Sequence, residues 1–244
     1  MANPIMVRMA EEYGQDSSYG MNNVMTVNGT LQITAFLGIL MVAAAAFCYT
    51  RFSLGYADLG NMLFYGGAII GFILAIIIYF AKTKVLIPVY AVCEGLALGG
   101  ISSLFESLYP GIVLQAVTGT FVTFFAMLIL YRTGIIACTD KFRSVVFTST
   151  FSIAGVYLVD FIGHFFNFSV PVINSASNIG IGFSVVVVII AALNLIIDFD
   201  FIERGVQMRA PKDYEWFGAF GLLITIVWLY IEILKLLAKV SSRR

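Results

Sequence analysis

Two aspartates, Asp198 and Asp200, lie near the end of a long apolar run that begins near Ile179. A transmembrane span normally excludes carboxylates, because an ionised one in hydrocarbon costs about 2.5 kcal/mol or more. Each aspartate therefore needs a partner, a proton or a bound cation. Residues two apart on a helix lie about 200° apart around its axis, so at most one of the two faces a given site directly. We place the functional site on Asp198.

Three further acids also lie inside apolar runs: Glu94, Asp160 and Glu232. Intramembrane ionisable residues usually mark ion or proton paths. The alternative for Glu94 is a protonated, inert side chain at a packing face. The alternative for Glu232 is a local ion pair with Lys235, three residues further along the same helix face. His164, the only histidine, is interpreted as an interfacial aromatic residue rather than a pH sensor.

Distances along the helices arrange these acids into two layers. At a rise of about 1.5 Å per residue, Glu94 and Asp198 lie about 15 Å and 9 Å from the side that the first helix enters. Asp160 and Glu232 lie about 25 Å from that side. Glu94 with Asp198 or Asp200 would form the inward layer, and Asp160 with Glu232 the outward one. Oxygen ligands in series are what a cation path requires.

The composition predicts the elements that position these acids. Of the 244 residues, 60% are hydrophobic and only 11% are charged, and the mean hydropathy is +0.96. These values are typical of an all-α polytopic membrane protein, since about 20 apolar residues span the hydrocarbon layer. Seven runs are long enough, at approximately 31–50, 60–81, 86–107, 111–131, 144–166, 178–202 and 215–238. We expect one seven-helix domain over 29–240, a mobile polar tail at 1–28 and a basic tail at 241–244.

Small residues and charge bias add two expectations. In the third run, small residues recur every four positions: Ala91, Gly95, Gly99 and Ser103. Such a face lets two helix backbones approach closely in lipid.

The side of the membrane that holds the N-terminus has nine Lys and Arg residues and the other side has five, which favours a cytoplasmic N-terminus. The three cysteines are too far apart in the sequence to indicate a zinc site or disulfide framework.

Two motifs resemble the transmembrane Bax inhibitor motif (Bax inhibitor-1-like) family, most closely its bacterial branch. They are Asp-Phe-Asp-Phe-Ile at 198–202 and Leu-Tyr-Ile-Glu at 229–232, and the likeness extends through 25–30, 94–102 and 203–239. The resemblance implies seven helices with the last one central, in the bacterial plasma (inner) membrane. It also implies a pH-sensitive calcium leak controlled by carboxylates on the last two helices, with no cofactor besides Ca²⁺ as the transported ion.

The family's two carboxylates map onto Asp198 and Glu232, which would then bind Ca²⁺ transiently. Two acids close together in a low dielectric cannot both ionise cheaply, so they share a proton, and its loss would leave oxygen ligands for Ca²⁺. The chain departs from the family pattern in three ways. Glu232 replaces the usual aspartate, Lys235 stands where an asparagine is expected, and the second helix lacks the expected arginine.

Two other classes of function compete with the leak. An enzyme is one. The residues around Asp160 and at 180–183 do not match the two motifs of an intramembrane aspartyl protease. A rhomboid-like catalytic pair of Ser184 with His164 would lack the glycine that should follow the serine. We therefore expect no enzyme. The other is a non-conducting regulator or assembly factor with other membrane proteins as partners. No basic or acidic block indicates nucleic acid, and the expected partners are the lipid bilayer, Ca²⁺ and H⁺.

Overall fold

The fold of the protein is built from α-helices. The structure is a computed structural model that describes residues 23–166, 173 and 175–243. Seven helices in this part of the chain are long and apolar enough to cross a membrane. They are α1 (Val27–Ser53), α2 (Ala57–Ala81), α3 (Ile87–Leu108), α4 (Ile112–Arg132), α5 (Asp140–His164), α6 (Asn178–Gln207) and α7 (Tyr214–Ser241). The expected all-α polytopic bundle is confirmed. Most of the predicted tail at 1–28, namely 1–22, lies outside the described residues, as does residue 244 of the basic tail.

Two helices begin before their apolar runs at a threonine whose side chain caps the first turn. α1 begins at Val27, where the Thr26 hydroxyl accepts a hydrogen bond from the Gly29 backbone at 2.9 Å. α5 begins at Asp140, where Thr139 caps the Phe142 backbone at 3.2 Å. Threonine is a favourable N-cap because its oxygen satisfies one of the unpaired N–H groups of the first turn.

The chain divides into two compact units. The first, which we call the α4–α6 unit, comprises 111–201 and 224–244 and so includes α4, α5, most of α6 and the C-terminal half of α7. The second, the α1–α3 unit, includes α1, α2, α3, the end of α6 and the start of α7. Among the seven helices α7 is the most buried, with 67% of its most apolar stretch inside the protein.

Within the α1–α3 unit, the small-residue face predicted for α3 packs against α1. A Cβ atom added to Gly95 would lie 2.2 Å from the Met41 carbonyl oxygen, and one added to Gly99 would lie 2.3 Å from that of Ala45. The two backbones therefore approach each other more closely than any larger residue would allow. This part of the sequence prediction is confirmed.

Gly95→Ala is expected to lower the free energy of unfolding by about 1–3 kcal/mol, because overpacking forces the α1 and α3 backbones apart. Gly66→Ala on α2 is the matched control, since an added Cβ there meets nothing within 4 Å. That substitution should be neutral or slightly stabilising, because alanine favours helix more than glycine. Thermal unfolding in detergent micelles compares the two variants, and equal unfolding temperatures would contradict the close packing.

The residues before α1 join the loop between α6 and α7 in the same unit. The Met25 backbone donates to the Ala210 carbonyl at 2.7 Å, and the Lys212 backbone donates to Asn23 at 3.0 Å. Glu215 is buried and accepts hydrogen bonds from both the backbone and the hydroxyl of Thr26, each at 2.9 Å. These contacts hold the start of α1 on the start of α7.

Candidate functional site

A line of polar side chains runs along the packed face of α5 in the α4–α6 unit. Arg143, Thr150 and Tyr157 are seven residues apart in sequence and therefore lie on one helix face, two turns from each other. Each reaches a polar residue of α6 or α7: Arg143 to Asp200, Thr150 to Asn194 at 2.9 Å, and Tyr157 to Glu232 at 2.7 Å. We call these six residues the polar seam.

At one end of the seam, Asp200 forms a buried ion pair with Arg143. The Nη2 atom of Arg143 lies 2.5 Å from Oδ2 of Asp200, and both residues are at most 9% exposed. The exposed carboxylate of Asp140 is 3.8 Å from the same guanidinium. The charge of Asp200 is thus neutralised within the protein, which leaves Asp200 less free to bind a cation.

Cys138, in the loop before α5, lies against this ion pair. Its sulfur is 3.8 Å from the Arg143 guanidinium and is buried. Burial raises the pKa of the Cys138 thiol, and the negative charge of Asp200 acts in the same direction. The thiol therefore stays protonated at neutral pH, as expected of a packing residue.

Asp198 has a different environment from Asp200, as their helical spacing predicts. Whereas Asp200 faces α5, Asp198 faces α7 and is hydrogen bonded to the Thr225 side chain. Its second oxygen, Oδ2, is buried without a hydrogen-bond partner. Among the described residues, only one other buried side-chain nitrogen or oxygen atom, Nε of Arg51, is in this situation. Asp198 thus has a buried oxygen available for a proton or a cation.

Glu232 is only 1% exposed, and both of its oxygens are occupied. Oε1 accepts from the Lys235 ammonium at 3.1 Å, and Oε2 accepts from the Tyr157 hydroxyl at 2.7 Å. The local ion pair considered from the sequence is therefore present. Asp198 is bonded to Thr225, seven residues before Glu232 on α7, which corresponds to about 10 Å along the helix. Asp198 and Glu232, the two carboxylates of the pair implied by the family resemblance, therefore lie at different heights along the axis of α7.

Further polar contacts lie near the start of α6 and the ends of α5 and α7. The Lys239 ammonium donates to the Ser184 hydroxyl at 2.8 Å and to the Gly180 carbonyl at 3.1 Å. The Nδ1 atom of His164 lies 3.1 Å from the backbone oxygen of Asp160 and 4.0 Å from its carboxylate. Ser184, weighed above as a nucleophile beside His164, thus has Lys239 as its hydrogen-bond partner.

The remaining predicted acid, Glu94, belongs to the α1–α3 unit. It is half-buried on α3 and is hydrogen bonded to Tyr90, one turn earlier. A Cβ atom added to Gly71 of α2 would lie 3.4 Å from the Glu94 carboxylate, so the small residue leaves room for it.

Within the described residues, no three His, Cys, Asp or Glu side chains come together as a metal site. The carboxylates predicted from the sequence lie instead at separate positions, each with its own neighbours: Asp198 with Thr225, Asp200 with Arg143, Glu232 with Tyr157 and Lys235, Asp160 with His164, and Glu94 with Tyr90. Any cation held by one of these carboxylates would have few protein ligands.

Sequence reasoning missed three of these partners, Arg143, Tyr157 and Thr225. Arg143 was assigned to a loop, although it lies in the first turn of α5 and is buried. A signal was present, because polar residues at 143, 150 and 157 repeat every seven positions, although serines and threonines at other positions of the same stretch obscure the repeat. Such a repeat indicates one polar helix face.

Comparison with known proteins identifies the family. The sequence model described as Bax inhibitor 1 like matches residues 3–242, nearly the whole chain. The chain belongs to this family. No curated protein matches it. As a member of the Bax inhibitor 1 like family with seven candidate spans, it is an integral membrane protein.

Proposed function

We propose that this member of the Bax inhibitor 1 like family is a pH-sensitive calcium leak in which Asp198 binds the passing ion. The observation that supports this proposal is the buried Oδ2 atom of Asp198, which has no hydrogen-bond partner. A buried polar atom without a partner costs about 1–3 kcal/mol, so such atoms are rare unless they have a role. The family membership and the seven spans agree with transport through a bilayer.

The chemistry of a leak follows from the two states of this carboxyl group. When Asp198 is protonated, it is neutral and tolerated inside the protein. When it is ionised, it requires a cation, and Ca²⁺ prefers carboxylate and other oxygen ligands. Conduction also requires that the ion is not held too tightly, and the small number of carboxylates near Asp198 meets this requirement.

The proposal includes no catalytic residue and no resident cofactor. From the excess of Lys and Arg on one side, we place the N-terminus in the cytoplasm. From the resemblance to the bacterial branch of the family, we place the protein in the plasma membrane. Labelling of single cysteines introduced at the exposed positions Asp58 and Lys141 with a membrane-impermeant maleimide tests this orientation. The cysteine at 58, before α2, should react in intact cells, whereas the cysteine at 141, before α5, should react only after lysis.

The proposal is tested by Ca²⁺ flux into dye-loaded proteoliposomes that contain only this protein. Flux in the unaltered protein should be greater at pH 8 than at pH 6, because the ionised carboxylate binds the cation. Asp198→Asn should remove that pH dependence, since an amide does not titrate. Asp58→Asn is the matched control, because Asp58 is exposed at the start of α2, and it should behave like the unaltered protein.

Two results would contradict the leak. One is unchanged pH dependence in Asp198→Asn. The other is the absence of flux at both pH values from folded protein, which would favour a non-conducting regulator that acts on other membrane proteins. A regulator alone should pass no ions.

A further inference from the structure

Glu232 already has a cation attached to it. The Lys235 ammonium lies 3.1 Å from Oε1 of Glu232, one helical turn away, and only 2% of the Glu232 side chain is exposed. The other oxygen is occupied by the Tyr157 hydroxyl at 2.7 Å. A calcium ion that approached Glu232 would therefore have to displace the lysine.

The ammonium of Lys235 is also held from a second direction. Its nitrogen lies 4.6 Å from the centroid of the Tyr157 ring, a distance at which a cation is attracted to the ring face. Tyr157 thus contacts both members of the ion pair, through its hydroxyl to Glu232 and through its ring to Lys235. The three side chains form a closed group in which each touches the other two.

The charges around this group also oppose a divalent cation. Lys239 adds a second positive charge that interacts electrostatically with Glu232 and Lys235. One carboxylate and two ammonium groups sum to a net charge of +1. Like charges at short range in a low dielectric repel strongly, so the site as it stands favours an anion or no ion over Ca²⁺.

From this geometry we propose that Lys235 is a tethered cation that occupies the cation position at Glu232 and so restricts which ions pass the outer half of the α4–α6 unit. The inference deepens the calcium leak proposed above, because it makes Lys235 a specificity-determining residue of that path. Ca²⁺ engages Glu232 only when the lysine swings away. Removing the ammonium should therefore convert Glu232 from an occupied carboxylate into a cation site.

The test is Ca²⁺ binding to the purified protein in detergent, measured by isothermal titration calorimetry, beside the proteoliposome flux. Lys235→Asn removes the cation, and Lys235→Gln is a second variant in case the first does not fold. Either is expected to raise Ca²⁺ affinity by about tenfold or more, because a unit positive charge next to the site is lost. Lys235→Arg keeps the charge and should leave the affinity unchanged.

Two controls assign the effect to Glu232. The double variant Lys235→Asn/Glu232→Gln has no carboxylate there, so the gain should disappear. Lys239→Gln removes an ammonium group that donates to Ser184 and Gly180 and not to Glu232. It should therefore raise the Ca²⁺ affinity less than Lys235→Asn does. Gel filtration shows which variants are folded.

The outcomes separate this inference from the leak itself. A folded Lys235→Asn or Lys235→Gln variant with unchanged Ca²⁺ affinity would overturn the tethered cation, as would a gain that survives in the double variant. Increased binding together with no flux in any variant would support Lys235 as the cation at Glu232, but it would refute the leak and with it any restriction of ion passage. Increased binding with altered flux supports both.

Discussion

Arg143→Met is expected to destabilise the protein by about 3–5 kcal/mol, because it leaves the carboxylate of Asp200 buried without its counter-ion. The Arg143 guanidinium and Asp200 are 2.5 Å apart and nearly inaccessible to solvent. A buried pair contributes little by itself, since both charges lose hydration, but removing only one partner exposes the full cost for the other. Reversible unfolding in mixed detergent and SDS micelles measures the change.

The double variant Arg143→Met/Asp200→Leu separates this explanation from a simple loss of packing. Once neither charge is present, most of the lost stability should return, because two apolar side chains can replace a buried pair at little cost. Arg132→Met is the matched control, since Arg132 is exposed at the end of α4, and it should change stability by less than about 0.5 kcal/mol. Equal losses in the single and double variants would contradict the ion-pair explanation.

Much of the fold follows from the sequence because a bilayer imposes a length on every helix. The seven apolar runs correspond to the seven helices, and the end of α2 at Ala81 matches its run to the residue. Larger differences occur where helices continue into polar sequence, as α6 does to Gln207, five residues beyond its apolar run. Hydropathy reports the part of a helix that lies in lipid, whereas capping and tertiary contacts decide where the helix stops.

The contacts of the site depend on information that hydropathy lacks. The opposite orientations of Asp198 and Asp200 follow from helical geometry within α6. Their hydrogen-bond partners do not follow from it, because Arg143 is 57 positions from Asp200 in sequence. That pairing depends on the rotation of α5 and α6 about their own axes, which side-chain packing fixes. The Glu232–Lys235 pair could be anticipated because both residues belong to one turn of one helix.

Asp198→Leu is expected to stabilise the protein, by about 1–3 kcal/mol, while it removes the proposed function. Oδ2 of Asp198 is buried without a hydrogen-bond partner. A leucine has the same branching at Cγ, with methyl groups in place of the two oxygens, and so has no polar atom to leave unsatisfied. The Thr225 hydroxyl would lose its contact with the carboxyl group, but a helical threonine can bond the carbonyl four residues earlier. The same unfolding experiment measures the gain.

Asp200→Leu is the matched control for this prediction, because it places the same substitution two residues away on the same helix. This substitution should lower the free energy of unfolding, since it leaves the buried Arg143 without its counter-ion. A stabilised Asp198→Leu protein that has lost pH-dependent flux would mean that the protein tolerates an unfavourable carboxylate because the leak requires it, a known trade-off between stability and activity. If Asp198→Leu destabilises the protein as much as Asp200→Leu does, then Asp198 is a structural residue and not an ion site.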